Sequence, residues 1–180
     1  MRPDNQTELE SHIKACIAGD ERAFRPVFDY LKERIFQYVV SRSNSREDAL
    51  DITQDIFVDI WKALRKFDYR SLGQFYGFVF LVARRRLIKY YRSRPKHVEL
   101  TDDQLLPSMV NHDQPHFDDH HDLLVNIKRL KGKYQEILRL RYWSGLSYAE
   151  AAAVLKISES AAKVWHHRAI KKLQEIFNQQ

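Results

Sequence analysis

The chain has 180 residues and carries 30 Lys and Arg against 24 Asp and Glu, a net charge of +6; it suits one ordinary domain or two small ones and leans toward a polyanionic partner. Hydrophobic residues at 44% and charged ones at 30% fit a soluble globular protein, and the lone cysteine, Cys16, excludes an intramolecular disulfide and a thiolate-rich metal site. The beginning, MRPDNQTELE, lacks an apolar signal-peptide core and the longest apolar stretch, Phe75 to Ala83, is far too short to span a bilayer, so a cytoplasmic location is expected.

Glycine and proline are scarce, five of each, and β-branched alternation is nearly absent, so helical periodicity predicts an all-α fold. A first helix is expected over Glu8 to Ala18, ended by Gly19-Asp20. A second, Glu21 to Ser41, places Phe24, Phe28, Leu31, Ile35 and Tyr38 on one face, with Pro26 tolerated in its first turns. Ser45 opens a third helix, with Asp48 three positions on and a stripe of Ala49, Ile52, Ile56, Ile60 and Leu64. After a loop, Asp68 to Gly73, a fourth helix from Gln74 to Arg92 begins aromatic and ends basic.

Charge then alternates along the chain. Arg84 to Arg94 hold six cations and no acid, whereas Pro95 to Asp122 set seven acids against Lys96 alone. The second stretch holds three of the five prolines and shows no sustained period. Its length is unusual for a loop inside one compact domain. The expected organisation is two small helical domains, residues 1–94 and 122–180, joined by a flexible acidic linker over 95–121. Helices follow near His121–Leu130, Tyr134–Trp143, Ser147–Leu155 and Ser158–Phe177. The last two read as a helix-turn-helix: Ser147 with Glu150 spells a capping box, Ser158 caps the second helix, and Ala151, Ala152 and Ala161 permit close approach at the corner.

In such a unit the second helix lies in the major groove and its N-terminal residues reach base edges. That surface comprises Glu159, Ser160, Lys163, His167 and Arg168, with Lys171 and Lys172 placed for phosphates. A plain helical hairpin with a solvated basic face carries the same spacing. The fourth helix interleaves aromatics with cations, the pairing that stacks unpaired bases and neutralises their backbone. Most of its aromatics suit a core; the candidates for exposure are Tyr76, Tyr90 and Tyr91, with Arg70, Ser71 and Gln74 in the loop. Asp51, Asp55 and Asp59 recur at every fourth position beside Gln54, an acidic strip that fits either a basic protein partner or an ordinary solvated face. His112, His116 and His120 share that spacing, but Pro115 interrupts any helix there, so no metal site is expected. No Gly-rich phosphate loop, nucleophile elbow or purposeful carboxylate pair is present; neither an enzyme, a cofactor nor a small-molecule substrate is expected.

Three segments carry a resemblance. Asp48 to Asp68, DALDITQDIFVDIWKALRKFD, resembles the second conserved region of bacterial sigma factors of the extracytoplasmic-function (ECF) group. Phe75 to Arg94 is similar to their adjoining promoter-melting segment, and Tyr134 to Leu173 to their C-terminal helix-turn-helix. The resemblance implies a non-enzymatic sigma factor whose partners are core RNA polymerase, promoter DNA and an anti-sigma factor. It implies that Asp51, Gln54 and Asp55 dock the polymerase clamp helices. The loop Asp68 to Gly73 and the start of the next helix, with Arg70, Ser71, Gln74 and Tyr76, would capture a flipped base of the single-stranded −10 element. Arg84, Arg85, Arg86, Lys89 and Arg92 would hold the melting duplex, and Ser158 to Arg168, with Lys171 beyond, would read the duplex −35 element. Lys156 stands where the family has its turn glycine, and His166 takes the place of an inward leucine, so Trp165 is expected to turn toward the core. The competing readings are a stand-alone helix-turn-helix regulator that binds DNA without polymerase, and an interaction protein whose basic surfaces bind acidic proteins.

Overall fold

The computed structural model describes residues 3–43, 45–93 and 121–178; of the linker expected over 95–121, all but His121 lies outside them, as do His112, His116 and His120. Among the described residues every regular element is helical. Helix α1 spans Pro3–Ile17 and stops at Gly19, whose φ of 102° only glycine adopts without strain. Asp20 accepts the Arg22 N–H at 3.0 Å and caps a single 3-10 turn, Glu21–Ala23, which leads into α2, Phe24–Val40. The buried stripe of α2 is Val27, Leu31, Ile35 and Tyr38. Phe24 and Phe28, expected in that stripe, sit on its margin and pack on Trp61 and Phe57, with ring centroids 4.8 and 4.5 Å apart.

Ser45 caps α3, Arg46–Leu64, by accepting the Asp48 N–H at 3.0 Å. All of its expected stripe, Ala49, Ile52, Ile56, Ile60 and Leu64, is buried. Helix α4, Leu72–Arg92, starts two residues earlier than periodicity suggested because Ser71 is its cap. Phe75, Tyr76, Val79, Phe80, Ala83 and Leu87 face inward from it. These helices close one core around Ile13 of α1.

The C-terminal part begins with α5, His121–Lys128, and α6, Gly132–Leu138. The chain then widens into one π-helical turn, Arg139–Trp143. Its Ser144 N–H reaches back to the Arg139 carbonyl at 3.1 Å, a five-residue step. The Ser147–Glu150 capping box is reciprocal, with bonds of 3.2 and 2.7 Å, and opens α7, Tyr148–Leu155. Lys156 ends α7 in the left-handed region at φ 55°, and α8, Glu159–Phe177, follows from its cap Ser158.

The C-terminal part packs against the N-terminal part through α7 and α4. Helix α7 lies along the start of α4, and the approach depends on small residues from both. A Cβ added at Gly73 would stand 3.2 Å from the Ala153 Cβ, and one at Gly77 would stand 3.5 Å from the Ala153 carbonyl oxygen. Ala151 and Ala152 are buried in the same helix. The alanine run therefore serves this crossing as well as the helix-turn-helix corner.

A charged cluster is sealed nearby. The Tyr38 hydroxyl donates to Glu136 Oε1 at 2.6 Å, and the Arg42 guanidinium donates to Glu136 Oε2. Arg42 is held in place by its own half: it lies 3.8 Å over the Tyr38 ring and donates to the Tyr38 carbonyl at 3.2 Å. Burial by itself would raise the Glu136 pKa, but Arg42, the Tyr38 hydroxyl and Arg139 together hold it below the ordinary carboxylate value. Arg139 is also buried, so the cluster encloses two guanidiniums for one carboxylate.

Removing one member of a buried ion pair leaves the other charge without compensation. Glu136→Gln is expected to destabilise the closed arrangement by about 3–5 kcal/mol, whereas Arg42→Met/Glu136→Leu/Arg139→Met, which removes every charge of the cluster, is expected to be near neutral or stabilising. Urea unfolding of the two variants checks this. Lys156→Gly is expected to add about 1 kcal/mol, because glycine occupies the left-handed region without a Cβ clash; the same measurement reads it.

Candidate nucleic-acid interface

Three surfaces carry the chemistry expected of the chain. The first is the outer face of α3. Asp51, Gln54 and Asp55 are exposed there, as expected. Leu50 and Val58 are exposed beside them, at 45% and 47%, and sequence reasoning missed both. Each is an apolar residue out of phase with the buried stripe, and that was the available signal. Leu50, Gln54 and Val58 follow one another at four-residue steps, so carboxylates and apolar side chains form adjoining rows. Val58 and Gln54 also border a groove of about 630 Å³ walled by Phe24, Phe28, Phe57 and Trp61.

The second surface runs along α4. Arg70 donates through its backbone N–H to Gln74 Oε1 at 2.9 Å, and the Gln74 N–H donates to Ser71 Oγ at 3.2 Å. Arg70 also pairs with Asp68 at 2.7 Å. The three expected loop residues are thus exposed and held together by a helix cap. Arg85, Lys89 and Arg92 face solvent further along, and Arg84 is half-buried.

Two expected residues belong elsewhere. Tyr76 is fully buried, its hydroxyl 2.9 Å from that of Tyr30, because position 76 falls on the inward face of α4. Arg86 turns back to α3: its Nη1 lies 3.0 Å from Asp55 Oδ2 and its Nε donates to Asp59 Oδ2 at 2.9 Å. Arg86 fastens α4 to α3 and takes up part of the acidic strip. Tyr90 and Tyr91 are half-buried, and the Tyr91 hydroxyl donates to the Arg42 carbonyl.

The third surface is the outer face of α8. Ser158 accepts the Ala161 N–H at 3.1 Å and lies 2.9 Å from the Ser160 hydroxyl. Glu159 and Lys163 form an i,i+4 pair at 2.7 Å, and His167, Arg168 and Lys171 stand exposed in line with it. The helix is aimed by contacts beneath it. The His166 ring lies between two tyrosines, with Tyr142 Oη 3.1 Å from Nε2 and Tyr148 Oη 3.1 Å from Nδ1. A neutral imidazole serves both, donating from one nitrogen and accepting at the other. Trp165 is half-buried against the core as expected, and His166 is half-buried as well, its polarity met by the tyrosine hydroxyls.

Among the described residues there is no cluster of His, Cys, Asp and Glu able to hold a metal, and no helix long and apolar enough to cross a membrane.

Comparison with known proteins places these surfaces in a common frame. Residues 27–96 match the family described as Sigma-70 region 2, and residues 121–173 that described as Sigma-70, region 4. The ECF RNA polymerase sigma factor BldN of Streptomyces coelicolor is 26% identical over 166 residues, covering 89% of this chain and 62% of its own length. The ECF RNA polymerase sigma factor SigF of Caulobacter vibrioides is 29% identical over 187 residues, covering 96% of this chain and 95% of its own. Among solved structures, CnrH in complex with the cytosolic domain of CnrY matches with a TM-score of 0.68 at 22% identity, covering 96% of this chain and 99% of the other.

Burial, Arg141 and His167 hold the His166 pKa below its ordinary 6.5. A base kept neutral in the folded state adds stability that is full above the unfolded value and is lost as pH falls below it. Thermal melts from pH 8 to 5 are expected to show a loss beginning near pH 6.5, and His166→Phe is expected to flatten that part of the profile.

Proposed function

The chain belongs to the extracytoplasmic-function group of RNA polymerase sigma factors, and on that footing we propose that it joins core polymerase through α3 and directs it to promoters read at two spaced elements. The observation that carries this reading is that a docking face and a DNA-reading face both stand exposed on one chain, one in each matched region. Asp51, Gln54 and Asp55 supply acceptors for a basic partner, and Leu50 and Val58 add apolar area that gains from leaving water.

The duplex −35 element falls to α8. Its Ser158, Glu159, Ser160, Lys163, His167 and Arg168 would sit in the major groove, and Lys171 would lie at a phosphate. The single-stranded −10 element falls to Arg70, Ser71 and Gln74, with Arg84, Arg85, Lys89 and Arg92 neutralising the backbone alongside. Tyr76 and Arg86 support this surface from within. Flipping a base costs a few kcal/mol of unstacking, more than so small a surface recovers unaided. Polymerase therefore supplies the remaining binding energy, and the free chain binds promoters weakly. The chain works in the cytoplasm, where polymerase and promoter DNA are. An anti-sigma protein is a further expected partner, since the sigma factor RpoE of Bartonella quintana, of similar fold, is seen in complex with the anti-sigma factor NepR.

In-vitro transcription with core polymerase and a promoter library tests the reading. Promoter-dependent initiation is expected. Asp51→Arg/Asp55→Arg is expected to weaken polymerase binding at least tenfold, or about 1.4 kcal/mol, while the fold persists by circular dichroism. No initiation above core polymerase alone would contradict the assignment.

A further inference from the structure

Helix α8 is held at a fixed rotation, and that rotation decides which side chains it turns outward. Ala162, Ala169 and Leu173 are buried beneath it. On one flank the Trp165 ring is half-buried, with the Lys133 ammonium 5.1 Å from its centroid. On the other, His166 is bonded to Tyr142 and Tyr148. At about 100° per residue, this leaves Ser160, Val164, His167 and Lys171 along the outward midline, with Lys163 and Arg168 to either side.

Val164 is the exception on that face. Its neighbours there are all polar or charged, whereas Val164 is 45% exposed and can neither donate nor accept a hydrogen bond. A helical side chain leans over the turn before it. Here that turn carries Ser160 and Ala161, both too short to cover the valine methyl groups. A β-branched residue also gives up rotamer freedom in a helix that alanine or lysine would keep. Single exposed apolar residues are ordinary on a protein surface. This one stands at the centre of a face aimed at base edges.

We propose that Val164 is a specificity-determining residue that reads a thymine in the −35 element, packing its methyl groups against the C5 methyl of that base. The inference deepens the assignment of α8 to the duplex −35 element and rests on it. The thymine methyl is the apolar group among the donors and acceptors that base pairs present in the major groove. A valine set against a donor or acceptor instead would strip that group of water and return no hydrogen bond, so the same residue selects against other bases. The stiffness of valine about χ1 fixes where its methyls point, so the contact orders little that is not already ordered. Lys163 and Arg168 flank it with donors suited to guanine. From Val164 to Arg168 the helix rises about 6 Å, or about two base-pair steps at about 3.4 Å each. The thymine is therefore expected within about two base pairs of a guanine read by Arg168.

Deoxyuridine in place of thymidine removes the methyl and leaves the base pairing intact. The full chain with core polymerase is assayed on a promoter that wild type selects from the library, each thymine of the −35 element being changed singly to dU on either strand. One position is expected to cost wild type about threefold to fourfold in promoter affinity, the value of taking one methyl group out of water. Val164→Ala, a change that favours the helix, is expected to bind the unmodified promoter at least threefold more weakly and to lose nothing further with dU at that position. Reselection of the library with Val164→Ala should relax the preference for thymine there and leave the other positions unchanged.

A selected −35 element without thymine, a wild type indifferent to every dU, an equal dU penalty in Val164→Ala, or an unchanged preference on reselection would each overturn the proposal. Wild type that initiates from no promoter in the library is a different failure. It removes the −35 assignment itself, whereas initiation without any response to dU removes the Val164 contact alone.

Discussion

The contact on which the arrangement turns is the one between Glu136 and the pair Arg42 and Tyr38. It joins residues about a hundred positions apart, from two matched regions, inside a surface closed to water. Nothing else in the interface is so specific. The α4–α7 crossing is a close approach of small residues, which gains dispersion energy but tolerates sliding. A carboxylate that must meet a guanidinium and a phenol at once does not tolerate it. The cluster therefore sets the register of closure, and the small residues supply the contact.

That division explains why a two-element reader can adopt one compact form. The seam combines the close approach of glycine and alanine with buried charge, within one apolar core that runs through both halves. The surfaces that must meet other molecules lie outside the seam: the Leu50–Val58 row of α3 and the Lys163–Lys171 face of α8 remain in solvent. Beneath them, packing contacts aim the exposed groups. Arg86 ties α4 to Asp55 and Asp59, and Tyr142 with Tyr148 grips His166 under the recognition face.

Local signals in the sequence were read well because they act locally. Ser45, Ser147 and Ser158 each cap a helix as read, and each bond spans only three residues; Ser71, read as a loop residue, caps α4 in the same way. Lys156 takes the left-handed conformation that its place in the turn demands. What escaped was long-range. Glu136, Arg42 and Arg139 look like ordinary surface charges, and only the docking of two distant segments buries them together. Tyr76 lies among cations in sequence yet points inward, since a helix turns each residue by about 100° and a neighbour's exposure says little. Gly73 and Gly77 stand four apart, a spacing that signals close helix approach, but their partner Ala153 could not be read without the fold.

The packing of the C-terminal part on the N-terminal part is the central claim, and a distance measurement tests it most directly. Lys62→Cys and Lys172→Cys place exposed labelling sites on α3 and α8, while the native Cys16 is buried, with its thiol pKa pushed up to about 11, and resists modification. Distances between spin labels at these sites are expected to fall within about 40 Å in the free chain. A distribution centred well beyond that would contradict the account.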